Sequence, residues 1–205
     1  MRRDKKWRKR LKRERLENKR LVKKYPWLKP YNVWTGKPLD SYHYEFTWAD
    51  DMPRGWMKAF GTLMFDEINE VLKRTHTTIY TEQVKEKFGE LRWYCSAHHD
   101  IQDIINDYTV LSRNICVFCG RPDVPMVDTG WMCPECKQCF EHNQKVNKYA
   151  PSGKYEDYVT SKYEMSSERK WSQADPESGD WKNMSKDISD KAEKIRARYR
   201  KCAKC

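Results

Sequence analysis

Two cysteine pairs in the middle of the chain constrain its fold more than any other feature. Cys116 and Cys119 are followed by Gly120, and thirteen residues separate Cys119 from a second pair, Cys133 and Cys136. A tight turn between cysteines three apart aims both sulfurs at one point, and a glycine behind it relieves the backbone; two such turns complete a tetrahedron of thiolates. This predicts that Cys116, Cys119, Cys133 and Cys136 hold one Zn2+. Cys139 and His142 follow Cys136 at successive three-residue steps and are the alternative ligands if the second turn is already helical. Four thiolates leave no open position for a reacting water, so the metal is expected to organise the fold rather than to catalyse. Such a site accepts iron as well as zinc. The terminal pair Cys202 and Cys205 cannot close a tetrahedron alone; free thiols are the default, with pairing to another protomer or metal capture with Cys95 as alternatives.

The chain has 205 residues and a net charge of +11, and the location of that charge is informative. Residues 1–24 hold 14 Lys or Arg against Asp4, Glu14 and Glu17, which accounts for the whole excess. From Lys194 onward six more cations stand without an acid, so residues 25–193 carry a net −6. Basic ends that release counterions from phosphates point to nucleic acid or a nucleoprotein complex as partner. The candidate contacts are Arg8, Lys9, Arg10, Lys12, Arg13, Arg15, Lys19 and Arg20 at the N-terminus and Arg196, Arg198 and Arg200 at the C-terminus. On the body Arg92, Arg113 and Arg121 are weaker candidates. The competing reading folds the basic ends onto the acidic middle or leaves them as solvated helices. No run approaches the ~20 apolar residues of a membrane span, and no apolar core of a secretory signal follows the basic start. A cytoplasmic protein is expected, in whose reducing compartment paired cysteines serve metals. In a eukaryotic host the N-terminal run would also serve as a nuclear localisation signal.

The pattern predicts an α+β chain, a small mixed domain with a zinc-ribbon or treble-clef-like module, flanked by basic helical extensions. Five parts are expected: a basic arm or helix over 1–24, an α+β body over 25–114, the zinc module over 115–148, an aromatic-containing linker over 149–182 and a basic helix over 183–205. Within the body, Tyr42, Tyr44, Phe46 and Trp48 alternate with polar residues and predict a strand over 41–48. Helical spacing of Trp56, Phe60, Leu63, Met64, Val71 and Leu72 predicts a helix over 54–74. Residues 77–96 read as a hairpin turning near Gly89, and 100–113 as a helix capped by Asp100. A last helix is expected over 185–200, with Ile188, Ala192, Ile195 and Tyr199 on one side.

An enzymatic reading would rest on His98, His99 and Asp100, with His142 and Asn143, as a metal-dependent nuclease. In zinc-flanked His-Asn-His nucleases the histidines lie between the knuckles, and the interval from Gly120 to Met132 contains none. No phosphate loop, nucleophile elbow or His-Glu-x-x-His motif is present. Catalysis is the weaker expectation.

The strings YNVWTGKPL, DDMPRGWMKAFG and VKEKFGELRWYC, followed by ICVFCG, GW and CPEC, resemble small proteins encoded by bacteriophages and prophages. The resemblance covers roughly residues 25–140 and leaves both basic ends outside it. It implies phage origin and a bacterial cytoplasmic setting more than an activity. By position, Cys116, Cys119, Cys133 and Cys136 match that group's metal knuckles, while Lys87, Phe88, Gly89, Leu91, Arg92 and Tyr94 match its hairpin. The expected function is a non-enzymatic, zinc-binding phage accessory protein that binds nucleic acid. The alternative is a protein-binding inhibitor of a host system, such as a CRISPR effector or the transcription apparatus.

Overall fold

The computed structural model describes residues 5–32, 35, 36, 39, 41–160 and 186–202. Trp34, Cys205 and the aromatic residues Tyr163, Trp171 and Trp181 of the expected linker lie outside the described residues. The described chain is mixed helix and sheet, with two small antiparallel hairpins, and is therefore α+β.

The basic N-terminal segment forms α1, Lys5–Lys24. Its first three turns are exposed, with Leu11 half-buried and Leu16 facing water. Its second half is held to the body. Asn18, which interrupts the apolar stripe in the sequence, is a buried anchor whose amide donates to the Tyr44 carbonyl at 3.2 Å and to Asp50 Oδ2 at 3.1 Å. Beyond the helix, the Tyr25 hydroxyl donates to Asp66 at 2.7 Å, and Lys24 pairs with the same carboxylate at 2.7 Å.

The strand expected over 41–48 does not form. Tyr44 adopts a positive φ of 62°, which reverses the chain where a strand would continue. The Tyr42 hydroxyl donates to the Phe46 carbonyl at 2.8 Å, and Thr47 donates to Asp50 Oδ2 from its amide at 2.6 Å and its hydroxyl at 3.0 Å. These local bonds cap a 3-10 turn over Trp48–Asp51 and displace a strand that would have had no ladder partner. The alternating aromatics instead pack in pairs, Tyr42 on Tyr44 and Phe46 on Trp48.

The helix expected over 54–74 is present as α2, Arg54–Trp56, a π-helical turn over Met57–Gly61, and α3, Thr62–Thr75. His76, at φ 53°, ends it in the left-handed conformation. The hairpin follows as β1, Tyr80–Lys87, and β2, Glu90–Ser96, in antiparallel register with a bulge between Thr81 and Gln83. Its two-residue turn, Phe88 and Gly89, has φ of 55° and 78°, the demand of the I′ class that matches strand twist. The next helix, α4, is His99–Ser112, and its cap is His98 rather than Asp100. The imidazole Nδ1 accepts from the Asp100 amide at 3.3 Å, while the Asp100 carboxylate is taken by Arg74 at 2.5 Å.

After α4 come the cysteine turn, β3, Met126–Asp128, paired with β4, Met132–Pro134, and then α5, Lys137–Val146. The first part of the expected linker folds back on this module. The Tyr155 hydroxyl donates to the Glu135 carbonyl at 2.7 Å, Val159 bridges to Val127, and Tyr155 and Tyr158 stack around Phe140. The last helix, α6, is Lys186–Cys202. It buries Ile188, Ala192 and Ile195 in the same core as Trp56, Phe60, Phe65, Ile101, Leu111 and Val117. Lys191, in its first half, pairs with Glu67 at 3.2 Å and with Asp107.

Two glycines let α2 touch the cysteine turn. A Cβ on Gly55 would lie 2.2 Å from the Cys116 carbonyl oxygen, and one on Gly120, at φ 80°, would lie 2.6 Å from the Gly55 oxygen. The Gly55 amide donates to the Val117 carbonyl at 2.8 Å, and the Trp56 indole donates to the Ile115 carbonyl at 2.7 Å. Because a methyl group at residue 55 meets backbone on the far side, Gly55→Ala should cost about 1–3 kcal/mol. Urea unfolding should show a lower midpoint with an unchanged slope, and a midpoint equal to the parent's would contradict this close packing.

Candidate metal centre

The turn that carries Cys116 and Cys119 is closed by its own backbone. The Gly120 amide donates to the Cys116 carbonyl at 2.9 Å, and the Cys116 amide to the Arg121 carbonyl at 2.8 Å. Cys136 stands at the N-cap of α5 in an extended conformation, and its carbonyl accepts from the amides of Cys139 and Phe140 at 2.9 and 3.0 Å. Residues three apart at a helix start share a face, so Cys136 and Cys139 point the same way. The sulfurs of Cys116, Cys119, Cys136 and Cys139 all lie within 4.8 Å of one another. The Cys119 and Cys136 sulfurs are 3.7 Å apart. A tetrahedron with metal–sulfur bonds near 2.3 Å has edges of about 3.8 Å, so four sulfurs at this spacing can hold a metal ion.

The structure thus brings together three of the four expected ligands, Cys116, Cys119 and Cys136, and adds Cys139 in place of Cys133. The reason is β4. Cys133 is its central residue, paired with Val127, and its side chain is buried in the main apolar core, apart from the cysteine cluster. Burial pushes its thiol up. The segment from Cys133 to Cys136 is consequently strand and helix entry, not a second knuckle. His142, the other alternative, is exposed on α5 and belongs to no ligand group among the described residues. Cys95 also stands apart: burial pushes its thiol to about 11, and the Gln102 amide donates to it at 3.4 Å.

The electrostatics of the cluster favour a cation. Burial foremost, then the neighbouring sulfurs of Cys116, Cys136 and Cys119, pushes the Cys139 thiol up, because like charges this close cannot all form without a counter-charge. The α5 N-terminus supplies part of that counter-charge. Arg121 supplies more: its guanidinium pKa is raised, by the Tyr199 hydroxyl foremost and also by the sulfurs of Cys136 and Cys119. Its Nε donates to the Tyr199 hydroxyl at 3.0 Å and its Nη2 to Gln138 Oε1 at 3.1 Å. Two residues on, Asp123 accepts a forked pair of bonds from Arg196, at 2.9 Å from Nε and 2.8 Å from Nη2. The loop behind the first turn is therefore tied to the second half of α6 by two side chains. The sequence signals for these ties were an arginine directly after Gly120 and a tyrosine on the apolar side of the last helix.

No family model, curated protein or solved structure matches this chain.

A second group of potential ligands, His98, His99 and Asp100, stands at the start of α4. His98 caps the helix through Nδ1, His99 Nε2 lies 2.8 Å from Asp100 Oδ1, and Arg74 places a cation on the same carboxylate. That cation opposes a metal there.

The basic residues expected at a nucleic-acid interface fall into two sets. Arg92 is held by the buried Glu90, which also accepts from Arg113 Nε at 2.6 Å. Arg196 is engaged by Asp123 and Glu193, Arg198 donates to the Thr62 hydroxyl at 2.8 Å, and Arg200 is exposed 3.9 Å from Glu193. Arg196 and Arg198 tie the C-terminal helix to the body, whereas the partner of Arg200 lies on the same helix. Arg8, Lys9, Arg10, Lys12, Arg13, Arg15, Lys19 and Arg20 on α1 are exposed.

Two measurements check this centre. Cys139→Ser should weaken metal affinity by more than about 100-fold, beyond the range of outer-shell changes, while His142→Ala leaves it unchanged in competition with a chromophoric chelator. Stripping the metal from the full chain should raise amide hydrogen exchange in residues 116–124 and 195–202. Exchange over 186–192, held by Ile188 and Lys191, should stay slow; unchanged exchange over 195–202 would contradict the tie between the cysteine loop and α6.

Proposed function

We propose that this chain is a non-enzymatic, zinc-stabilised protein that binds nucleic acid or a nucleoprotein complex through α1, an accessory protein of the kind phages encode for work in the bacterial cytoplasm. The observation that carries the reading is the exposure of the cationic helix among the described residues. Between Lys5 and Glu17, α1 presents Lys5, Lys6, Arg8, Lys9, Arg10, Lys12, Arg13 and Arg15 against only Glu14 and Glu17. Arg10 pairs with Glu14 at 3.5 Å, Arg13 with Glu17 at 4.0 Å and Arg15 with Glu45 at 3.5 Å, and all three pairs are exposed. Exposed pairs of this kind are worth little and yield to a phosphate. The anchor at Asn18 fixes the helix to the body, so the cations are presented at a set place.

The metal supports that presentation without taking part in chemistry. The order of Cys116–Cys119 turn, β3–β4 hairpin and α5 carrying the last two cysteines fits a treble-clef zinc module better than a ribbon, because the second pair opens a helix. Four thiolates leave zinc no open position. A nuclease reading has less support, since His98 serves as a cap and Asn143 donates to Glu135 at 2.7 Å.

Deleting residues 1–17, which spares the Asn18 anchor, should leave the folded body and its metal intact. The slope of log affinity against log salt for duplex DNA or RNA should fall by on the order of 3–6 units. An unchanged slope would refute the role of the arm. Recovery of one stable host protein from nuclease-treated lysate, with no salt-sensitive nucleic-acid binding, would favour the inhibitor reading instead.

A further inference from the structure

The cations of α1 are not spread evenly around it. A helix turns about 100° per residue, which puts Trp7, Leu11 and Asn18 on one side. Asn18 is buried against the body and Leu11 is half-buried, so this side is the inner one. The opposite crest is formed by Lys9, Lys12 and Leu16, all exposed, Leu16 by 49%. Arg8 and Arg15 run down one flank of that crest, and Arg10 and Arg13 down the other, again exposed. The acids that pair with Arg10, Arg13 and Arg15 do so in the open, at 3.5, 4.0 and 3.5 Å. Trp7, the single aromatic residue of α1, falls on the same side as Asn18, away from crest and flanks.

Cations on both flanks of one rod call for a partner that meets it from two sides. The major groove of B-form DNA does so: about 12 Å wide between two rails of phosphate, it admits a helix about 10–12 Å across. Residues 5–17 give roughly 20 Å of helix ahead of the Asn18 anchor, at about 1.5 Å per residue. In that groove the crest meets base edges, where a lysine reaches guanine O6 and N7 and an apolar side chain meets the thymine methyl. A single strand offers one row of phosphates and bases that bind by stacking on aromatic rings, which neither crest nor flank carries. The major groove of an RNA duplex is too deep and narrow for side chains to read. A flat anionic surface, whether membrane or protein, meets one flank at a time. Resting on the nucleic-acid reading above, we infer that α1 is a major-groove helix for duplex DNA. Arg8 and Arg15 lie on one phosphate rail, Arg10 and Arg13 on the other, and Lys9, Lys12 and Leu16 face the base edges.

The test uses the full metal-loaded chain with three fluorescein-labelled probes of one sequence: a DNA duplex, an RNA duplex and the single DNA strand. The DNA duplex should bind at least about 10-fold more tightly than either of the others. A duplex with glucosylated 5-hydroxymethylcytosine, whose sugars fill the major groove without adding charge, should bind about 10-fold more weakly than the plain one. Arg8→Gln with Arg15→Gln, and separately Arg10→Gln with Arg13→Gln, should each lower the slope of log affinity against log salt by about 2. Glutamine preserves helix propensity, and an unchanged far-ultraviolet circular dichroism spectrum verifies the fold of both variants. Equal affinity for the three probes, tolerance of the glucosyl groups, or a slope that responds to one flank pair alone would overturn the groove assignment. The arm's role would still stand if deleting residues 1–17 lowers the slope. An unchanged slope on that deletion would overturn both.

Discussion

Four sulfurs brought within one metal's reach, two from a tight turn and two from the start of a helix, form the constraint on which the remaining arrangement depends. The turn is too short to have a core of its own. It is positioned from one side by α2, through the glycine contacts and the Trp56 indole, and from the other by α6, through Arg121 and Asp123. A bound ion would fix the loop that presents those two side chains. Holding a metal and docking the end of the C-terminal helix are thereby linked, and linkage of this kind works equally in both directions.

Charge is distributed to the same end. The body is acidic, and two cations of α6 are absorbed by it: Lys191 between Glu67 and Asp107, Arg196 on Asp123. The N-terminal cations of α1 are exposed, and where they meet acids of the body, Arg15 on Glu45 and Lys24 on Asp66, the pairs are exposed too. Two basic ends that look equivalent in composition therefore have different physical roles. One closes the fold and the other is presented to solvent, where a polyanion can reach it.

Periodic elements were legible in the sequence because long-range packing agreed with local preference. The Phe88–Gly89 turn, the helical spacing of Trp56, Phe60 and Met64, and the stripe of Ile188, Ala192 and Ile195 all appear where the pattern placed them. The failures have a common cause, competition between one local motif and its neighbour. Alternating aromatics over 41–48 imitate a strand, but Asp50 and the Tyr42 hydroxyl offer closer hydrogen bonds. Cys133 and Cys136 imitate a knuckle, but β4 pairing turns Cys133 into the core and the helix start brings Cys139 to the metal. Spacing alone could not separate the two overlapping cysteine pairs; the clue was that a proline two residues before Cys136 suits a strand end leading into a helix. The ties from Arg121 to Tyr199 and from Arg196 to Asp123 span more than seventy residues, so the residues were visible in the sequence but their pairing was not.

The most direct check of the ligand set is X-ray absorption at the metal edge of the full chain carrying Cys133→Ala. The account predicts four sulfur neighbours at about 2.3 Å and no light-atom ligand, as in the parent protein. Three sulfurs with a nitrogen or oxygen, or loss of the metal with Cys133, would contradict it.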